Sequence, residues 1–254
     1  MFTDYSIEYF LILIVTGLIA GVINTLAGGG SNLTLPALML TGMPADVANA
    51  TNRVGVFLQC VVGIRGYKKY DKIETDDMLP VLIPTLAGGI VGAILAAVLP
   101  ASLLKPLLLG TMIGVALLIL VAPSVVAPPE GTPTYKIKER PLAWAALFVA
   151  GIYGGFVQAG VGFLLIAALA GTLRYDLVRT NALKLICTAG FTALALIVFI
   201  IDDLILWVPG LVLAIGTMAG AAMAVKISLK VSQQVMKWFL FLMTLAASAA
   251  AMFL

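Results

Sequence analysis

The chain has 254 residues, of which 62% are hydrophobic and 11% are charged, and its mean hydropathy is +1.12. Soluble globular domains average about 45–50% apolar and about 25% charged residues, so this composition excludes a water-soluble domain. The apolar residues fall in repeated runs near or above the roughly 18–20 residues that cross a bilayer as a helix. The net charge is only +3. We therefore expect an all-α polytopic membrane protein whose partner is the lipid bilayer rather than nucleic acid.

Several kinds of catalytic machinery are absent from the sequence. It contains no histidine, which removes histidine-based acid–base catalysis and most metal sites. The two cysteines, Cys60 and Cys187, lie within apolar runs and are too few for a zinc site or a disulfide framework, so we interpret them as packing residues. There is no Gly-x-Ser-x-Gly motif and no Asp-x-x-x-Asp pair within an apolar run. We predict that the protein is not an enzyme and needs no metal or cofactor.

Ten apolar segments follow one another along the chain. Two of them, 31–41 and 161–173, would cover only about half of the hydrocarbon core at ~1.5 Å per residue, so we interpret them as half-helices. A segment rich in proline and charge, 123–140, is a linker between a first repeat, 1–122, and a second repeat, 141–254. The remaining eight segments are long enough to span a bilayer, and they are 7–27, 46–66, 78–99, 102–122, 141–158, 176–201, 204–226 and 233–254.

The charged residues predict the orientation of the chain. Basic residues cluster after segment 46–66, in the linker, after 161–173 and between the last two segments, and the positive-inside rule places all of these in the cytoplasm. The N-terminus carries acids and lacks the basic region of a signal peptide, and the connection at Asp202 and Asp203 is acidic, so both should lie outside. These assignments give five segments in each half. An odd number predicts inverted repeats, with both termini outside the cytoplasm.

Sequence matches between the two halves support the repeat. They occur in the same order in each half, at nearly one offset, with the linker between them. Any single match is weak because glycine is common in membrane helices, but an ordered set is not expected by chance. The matched positions are Gly21 with Gly151, Gly30 with Gly160, Asp46 with Asp176, Thr51 with Thr180 and Asn52 with Asn181.

Glycine-rich breaks precede both half-helices. Inverted-repeat transporters bind substrate near the bilayer midplane, where interrupted helices meet. A helix that begins after such a break directs N–H groups and a positive dipole end at the site, which suits an anion. The alternative is that the glycines only permit close packing, and we favour this for spaced pairs such as Gly17 and Gly21. The predicted substrate-binding residues at the breaks are Asn24, Gly28, Gly29, Gly30, Ser31 and Asn32 in the first half and Gln158, Gly160 and Gly162 in the second.

Two basic residues lie inside apolar segments, where a central charge costs roughly 2.5–3.5 kcal/mol. Arg53 and Lys184 each lie about two turns into matching segments, and no acid is within a turn of either, since Asp46 and Asp176 are better placed as N-caps. We infer that an anionic substrate supplies the counter-charge; the alternative is that both side chains extend to an interface. Helical spacing adds Asn49 and Asn52 on the Arg53 face, and Thr180, Asn181 and Thr188 on the Lys184 face, to the predicted site.

The first break and the residues after it resemble the signature of the TauE/SafE family of sulfite and organosulfonate exporters. The resemblance rests on the glycine run, Leu-Thr-Leu-Pro-Ala-Leu at 33–38, Gly-Met-Pro at 42–44 and Ala-Asn-Ala-Thr-Asn at 48–52, and it covers both halves. It implies a membrane fold of about eight helices in two repeats, and transport of sulfur-containing anions across the bacterial plasma membrane. The second half departs from the pattern, because Gln158 and Ala159 replace glycines and Ile166 replaces Pro36.

The residues and the resemblance together predict a secondary transporter of small sulfur-containing anions, such as sulfite or sulfoacetate, that works by alternating access. A passive anion channel is an alternative, because the same cations would serve it, but a carrier saturates and shows counterflow. An intramembrane enzyme is a second alternative. The oligomeric state stays open, a homodimer included.

Overall fold

The computed structural model describes residues 6–73, 76–100 and 133–231, together with 102–103, 106–107, 110 and 235. Every regular element in these ranges is helical, which confirms the predicted all-α class for this part of the chain. A 3-10 turn at Ile137–Glu139 precedes the fifth helix, and a π-helical segment at Ala167–Thr172 continues the sixth. The helices are α1 (Ile7–Leu26), α2 (Ser31–Leu40), α3 (Ala45–Lys69), α4 (Met78–Val98), α5 (Pro141–Phe156), α6 (Val161–Ile166), α7 (Leu177–Ile201) and α8 (Trp207–Lys230).

Five of the eight predicted spans are confirmed as helices long and apolar enough to cross a membrane, and these are α1, α3, α4, α7 and α8. Helix α5 has 16 residues and is shorter than segment 141–158, because it ends where the second break begins. The half-helices are short, as predicted: α2 has 10 residues, and α6 has six before its π-helical continuation. Apart from 102–103, 106–107, 110 and 235, the predicted spans 102–122 and 233–254 lie outside the described residues, as does the linker up to residue 132.

The starts of α3 and α7 differ although their sequences match. Asp176 caps α7 as predicted, because its Oδ1 accepts hydrogen bonds from the N–H groups of Val178 at 2.9 Å and Arg179 at 3.0 Å. The prediction that Asp46 caps α3 is wrong. The extended Pro44 occupies the N-cap, so the helix has already begun and Asp46 lies in its first turn, where it still complements the helix dipole.

Two helix pairs pack closely between the halves, and glycines form both contacts. Helix α1 of the first half packs on α8 of the second, and α5 of the second half packs on α4 of the first. A Cβ atom at Gly21 would lie 2.3 Å from the carbonyl oxygen of Thr217, and one at Gly151 would lie 2.2 Å from that of Thr85. Only glycine allows backbones to approach so closely. The packing interpretation of the spaced glycines is therefore confirmed at these positions, and the two contacts correspond to each other between the halves.

Helices α3 and α7 lie between these pairs and carry the two buried cations. Helix α3 packs on α7 and α8, and α7 also packs on α4.

Contacts between the connecting segments bring predicted basic connections to one face of the bundle. The N–H of Tyr135 in the linker donates to the carbonyl of Leu173 at 2.9 Å, and Arg179 at the start of α7 pairs with Asp77, just before α4, at 3.1 Å. The start of α8 lies at the opposite face, where the N–H of Leu206 donates to Thr51 Oγ1 at 3.0 Å.

Candidate substrate site

The first break separates α1 from α2 at residues 27–30. The carbonyl of Ile23 accepts from the N–H groups of both Ala27 and Gly28, at 2.7 and 3.0 Å, which ends α1. Gly28 then takes a φ of +90°, a left-handed conformation that L side chains rarely adopt. The glycine run thus interrupts the helix as the sequence predicts, and α2 begins at Ser31.

The second break repeats this geometry with different residues. The carbonyl of Tyr153 accepts from the N–H groups of Val157 and Gln158, at 2.8 and 3.2 Å, and α5 ends. Gln158 occupies the position of Gly28 and also has a positive φ, +66°, although it is not glycine. Gly160, with a φ of +75°, forms the N-cap of α6. The second half therefore keeps the break without the full glycine run.

The two breaks cross in direct backbone contact. The N–H of Gly162, at the start of α6, donates to the carbonyl of Gly28 at 3.1 Å. A Cβ atom at Gly28 would lie 2.2 Å from the Cα of Gly162, and one at Gly162 would lie 2.1 Å from the Cα of Gly28. The backbones at these two glycines approach so closely that no side chain fits between them.

Arg53 holds the end of α5 from the opposite half. Its Nη1 donates to the carbonyl of Gly154 at 2.5 Å, and its Nη2 donates to those of Gly155 at 2.9 Å and Phe156 at 3.3 Å. One turn earlier, Asn49 Nδ2 donates to the carbonyl of Phe156 at 3.0 Å. Arg53 is fully buried, so it does not extend to an interface.

Lys184 holds the end of α1 in the reciprocal way. Its Nζ donates to the carbonyl of Thr25 at 2.9 Å and to Asn181 Oδ1 at 2.8 Å, and its exposed fraction is 1%. Each buried cation therefore lies at the C-terminal end of the interrupted helix that belongs to the other half. The negative end of a helix dipole favours a positive charge there, which partly offsets the cost of burying it.

Asn52 fixes the first half-helix. Its Nδ2 donates to Ser31 Oγ at 3.1 Å, and its Oδ1 accepts from Thr34 Oγ1 at 2.6 Å. These bonds join α3 to the first turn of α2. Thr34 was not among the predicted residues; it lies three residues after Ser31, a spacing that places both hydroxyls on one helical face.

The remaining predicted residues of the first break are two closely packed glycines and two asparagines. Gly29 faces the ring of Phe163, and Gly30 lies against the carbonyl of Ala20, so a Cβ atom there would be 2.3 Å from that oxygen. Asn24 is buried, and Asn32 is half-buried with an Oδ1 that has no hydrogen-bond partner in the described residues. All four therefore lie close to the first break.

Fewer hydrogen bonds join the predicted polar residues of the second half to one another than in the first half. Gln158 Nε2 donates to Thr192 Oγ1 at 3.2 Å, a partner that the sequence did not indicate. Thr180 donates to the carbonyl of Tyr175 at 3.3 Å and so stabilises the start of its own helix. Thr188 is buried one turn beyond Lys184. Within the described ranges, no group of three or more Cys, Asp or Glu side chains is placed to hold a metal ion.

Several buried polar atoms near the breaks and on the polar faces of α3 and α7 have no hydrogen-bond partner among the described residues. Such atoms are uncommon in folded proteins, since most buried polar groups are paired. They include donors and acceptors from both halves. One of these residues, Thr25, was not among the predicted site residues, although it adjoins Asn24. The atoms are Thr25 Oγ1, Asn32 Oδ1, Arg53 Nε, Gln59 Nε2, Gln158 Oε1 and Asn181 Nδ2.

Comparison with known proteins places this arrangement in a family. The family profile described as "Sulfite exporter TauE/SafE" matches residues 13–251, which is most of the chain. The chain belongs to the TauE/SafE family. The resemblance of the first break to the TauE/SafE signature is thereby confirmed, and the protein is a multi-pass membrane transporter of that family.

Curated relatives of the TauE/SafE chain carry names that agree with this assignment. A "Probable membrane transporter protein" of Haemophilus influenzae is 23% identical over 225 residues, covering 88% of this chain and 86% of the relative. The "Probable membrane transporter protein YfcA" of Escherichia coli K12 is 25% identical over 242 residues, covering 95% and 89%. The "Probable membrane transporter protein ORF9" of a Sinorhizobium species is 24% identical over 245 residues, covering 96% and 92%. No solved structure matches the chain.

Proposed function

We propose that this TauE/SafE protein is a secondary transporter of small sulfur-containing anions, such as sulfite or sulfoacetate. The observation that carries the proposal is the pair of buried cations, Arg53 and Lys184, beside the crossing of two interrupted helices. In the described part of the chain their hydrogen-bond partners are carbonyl and amide oxygens, so neither has a carboxylate counter-ion. Charges inside a membrane protein commonly mark a substrate pathway, and an anionic substrate would supply the counter-charge that the described residues lack.

The two halves are proposed to be inverted repeats that alternate access to this site. Corresponding contacts support the proposal: Arg53 reaches the end of α5 and Lys184 reaches the end of α1, so each half holds the other. The matched approaches of Gly21 to Thr217 and Gly151 to Thr85 add a second correspondence. In transporters of this kind one half rotates relative to the other around a fixed site. We infer that the halves rotate about the backbone contact between Gly28 and Gly162.

Contacts between the halves on opposite faces of the bundle offer two gates. On one face, Asp77 Oδ2 accepts from Arg179 Nη2 at 3.1 Å and from Tyr175 OH at 2.9 Å. On the other, a hydrogen bond from Leu206 N–H to Thr51 Oγ1 at 3.0 Å joins the halves. Alternating access requires one contact to open while the other stays closed. A charge-assisted bond is stronger than a neutral one, so we infer that this conformation is closed at Asp77.

The proposed location is the bacterial plasma membrane, with the Asp77 face in the cytoplasm. Basic residues end α3 on that face, including Lys68 and Lys69, and Arg174 and Arg179 precede or begin α7 there. The positive-inside rule assigns such a face to the cytoplasm. Both termini would then lie outside.

Anion flux in proteoliposomes tests the proposed function. The wild-type protein should show saturable efflux and counterflow of labelled sulfite or sulfoacetate. Arg53→Gln and Lys184→Gln should abolish flux while leaving expression and folding intact, whereas Lys226→Gln, an exposed lysine on α8, is the matched control and should retain it. Unchanged flux in both buried-cation variants would contradict the site. Flux that neither saturates nor shows counterflow would instead favour a passive channel.

A further inference from the structure

The two halves satisfy their polar side chains unequally. In the first half both amide atoms of Asn52 are partnered, by the hydroxyls of Ser31 and Thr34 on α2. The corresponding positions of α6, at the offset that matches Gly21 with Gly151, are Val161 and Leu164, which carry no polar side-chain atom. The counterpart of Asn52 in the second half therefore has no hydroxyl partner on its half-helix.

That counterpart, Asn181, lies beside the Lys184 ammonium. An ammonium group has three protons and can only donate, and its described acceptors are Asn181 Oδ1 at 2.8 Å and the carbonyl of Thr25 at 2.9 Å. The amide oxygen therefore faces the ammonium, and Nδ2, roughly 2.3 Å from that oxygen, is within about 5 Å of Nζ. Asn181 Nδ2 and Thr25 Oγ1 are buried without a hydrogen-bond partner in the described residues.

Arg53 differs from Lys184 in how its donors are used. Its two terminal nitrogens donate to three successive carbonyl oxygens at the end of α5, at 2.5, 2.9 and 3.3 Å. The ring of Phe199 lies 5.7 Å from its guanidinium carbon. The two terminal nitrogens of the guanidinium thus join α3 with α5, and its Nε has no partner among the described residues. The ammonium differs because its spare proton lies beside two further unpartnered donors.

We propose that the oxygens of the transported anion bind to the Lys184 ammonium, the Asn181 amide and the Thr25 hydroxyl, and that Arg53 is a positioning residue that ties α3 to α5. This inference rests on the proposed function and gives the two cations different roles. Three separate donors suit a head group with three oxygens, as in sulfite or a sulfonate, better than a two-oxygen carboxylate. Thr25 belongs to the first half and the other two donors to the second, so the bound anion joins both halves.

Calorimetric titration of the purified full chain with sulfite and sulfoacetate tests this assignment. Thr25→Val removes one donor at nearly constant shape and should weaken binding about tenfold or more, since a hydrogen bond to a charged group is lost. Thr25→Ser restores the hydroxyl and should restore affinity. Thr85→Val is the matched control, because that buried hydroxyl donates to the carbonyl of Val81 on its own helix at 2.7 Å, and it should bind like the wild type.

A second pair of variants separates binding from positioning. Lys184→Gln should abolish binding, whereas Arg53→Lys should keep the dissociation constant within about threefold and lower the maximal flux. Wild-type affinity in Thr25→Val, or a loss of affinity in Arg53→Lys as large as in Lys184→Gln, would overturn the assignment while leaving an anion transporter. Failure of the wild-type protein to bind either anion would overturn the proposed function itself, and the assignment with it.

Discussion

A single methyl group added at Gly28 should separate the two interrupted helices. Gly28 has a φ of +90°, and an added Cβ would lie 2.2 Å from the Cα of Gly162, whereas ordinary contacts are 3.4–4 Å. The backbones must therefore part by more than 1 Å, which also breaks the 3.1 Å hydrogen bond from Gly162 N–H to the Gly28 carbonyl. We expect Gly28→Ala to lower both stability and transport.

Gly42 provides a control with the same backbone conformation. It also has a φ of +90°, but nothing lies within 4 Å of the Cβ that alanine would add. Gly42→Ala should therefore cost only the left-handed strain, about 1–2 kcal/mol. Gly28→Ala carries the same strain plus overpacking of about 1–3 kcal/mol and a lost hydrogen bond of about 1 kcal/mol. The two variants should differ by roughly 2–4 kcal/mol.

Thermal unfolding in detergent, followed by circular dichroism, measures this difference. At about 2–4 °C per kcal/mol for a chain of this size, Gly28→Ala should unfold roughly 4–16 °C below Gly42→Ala. Gly162→Ala should also be destabilised, and the double variant Gly28→Ala/Gly162→Ala should lose less than the sum of the two, because one separation relieves both clashes. Equal unfolding temperatures for Gly28→Ala and Gly42→Ala would refute the close crossing.

Three further predictions test individual contacts. Asn52→Leu removes the amide that joins α3 to the two hydroxyls of α2 and should lower the free energy of unfolding by about 1–3 kcal/mol. An unchanged free energy of unfolding in chemical denaturation would show that these hydrogen bonds do not stabilise the position of α2. Asp176→Ala should cost about 1 kcal/mol through loss of the N-cap, whereas Asp202→Ala at the far end of α7 should cost less; the reverse order would argue against the cap. Asp77→Asn should weaken the proposed gate and change the rate of anion flux. Exchanging the charges of Asp77 and Arg179 should restore part of the wild-type rate. Additive losses in the double-mutant cycle of these two residues would contradict the pairing.

The first break was predictable because its local sequence determines it. A run of three glycines removes the side chains that favour a continuous helix, and α1 and α2 end and begin within one or two residues of the predicted limits. The second break shows where such reasoning stops. Gln158 adopts a φ of +66° although its side chain disfavours this. This conformation accompanies the end of α5, where the Tyr153 carbonyl accepts from the N–H of Gln158 at 3.2 Å, and the glycine pattern alone does not predict it.

The partners of the buried cations were beyond prediction from the sequence. Arg53 and Lys184 were recognisable because charge inside an apolar segment is costly. Their partners are backbone carbonyls, which every residue carries, and which of these are free depends on where α5 and α1 end and what packs there. Asn181 shows the same limit: the residues that replace Ser31 and Thr34 can be found from the sequence, but the unpartnered Nδ2 in the described residues is visible only in the structure.

The central claim is that a small sulfur-containing anion crosses the membrane on this protein by binding at Lys184. Counterflow in proteoliposomes tests it most directly: vesicles loaded with unlabelled sulfite should accumulate labelled sulfite transiently when the wild-type protein is present. The account predicts a saturable overshoot that is lost in Lys184→Gln and retained in Lys226→Gln. An overshoot of wild-type size in Lys184→Gln, or none in the wild-type protein with any of sulfite, thiosulfate, sulfoacetate or taurine, would contradict it.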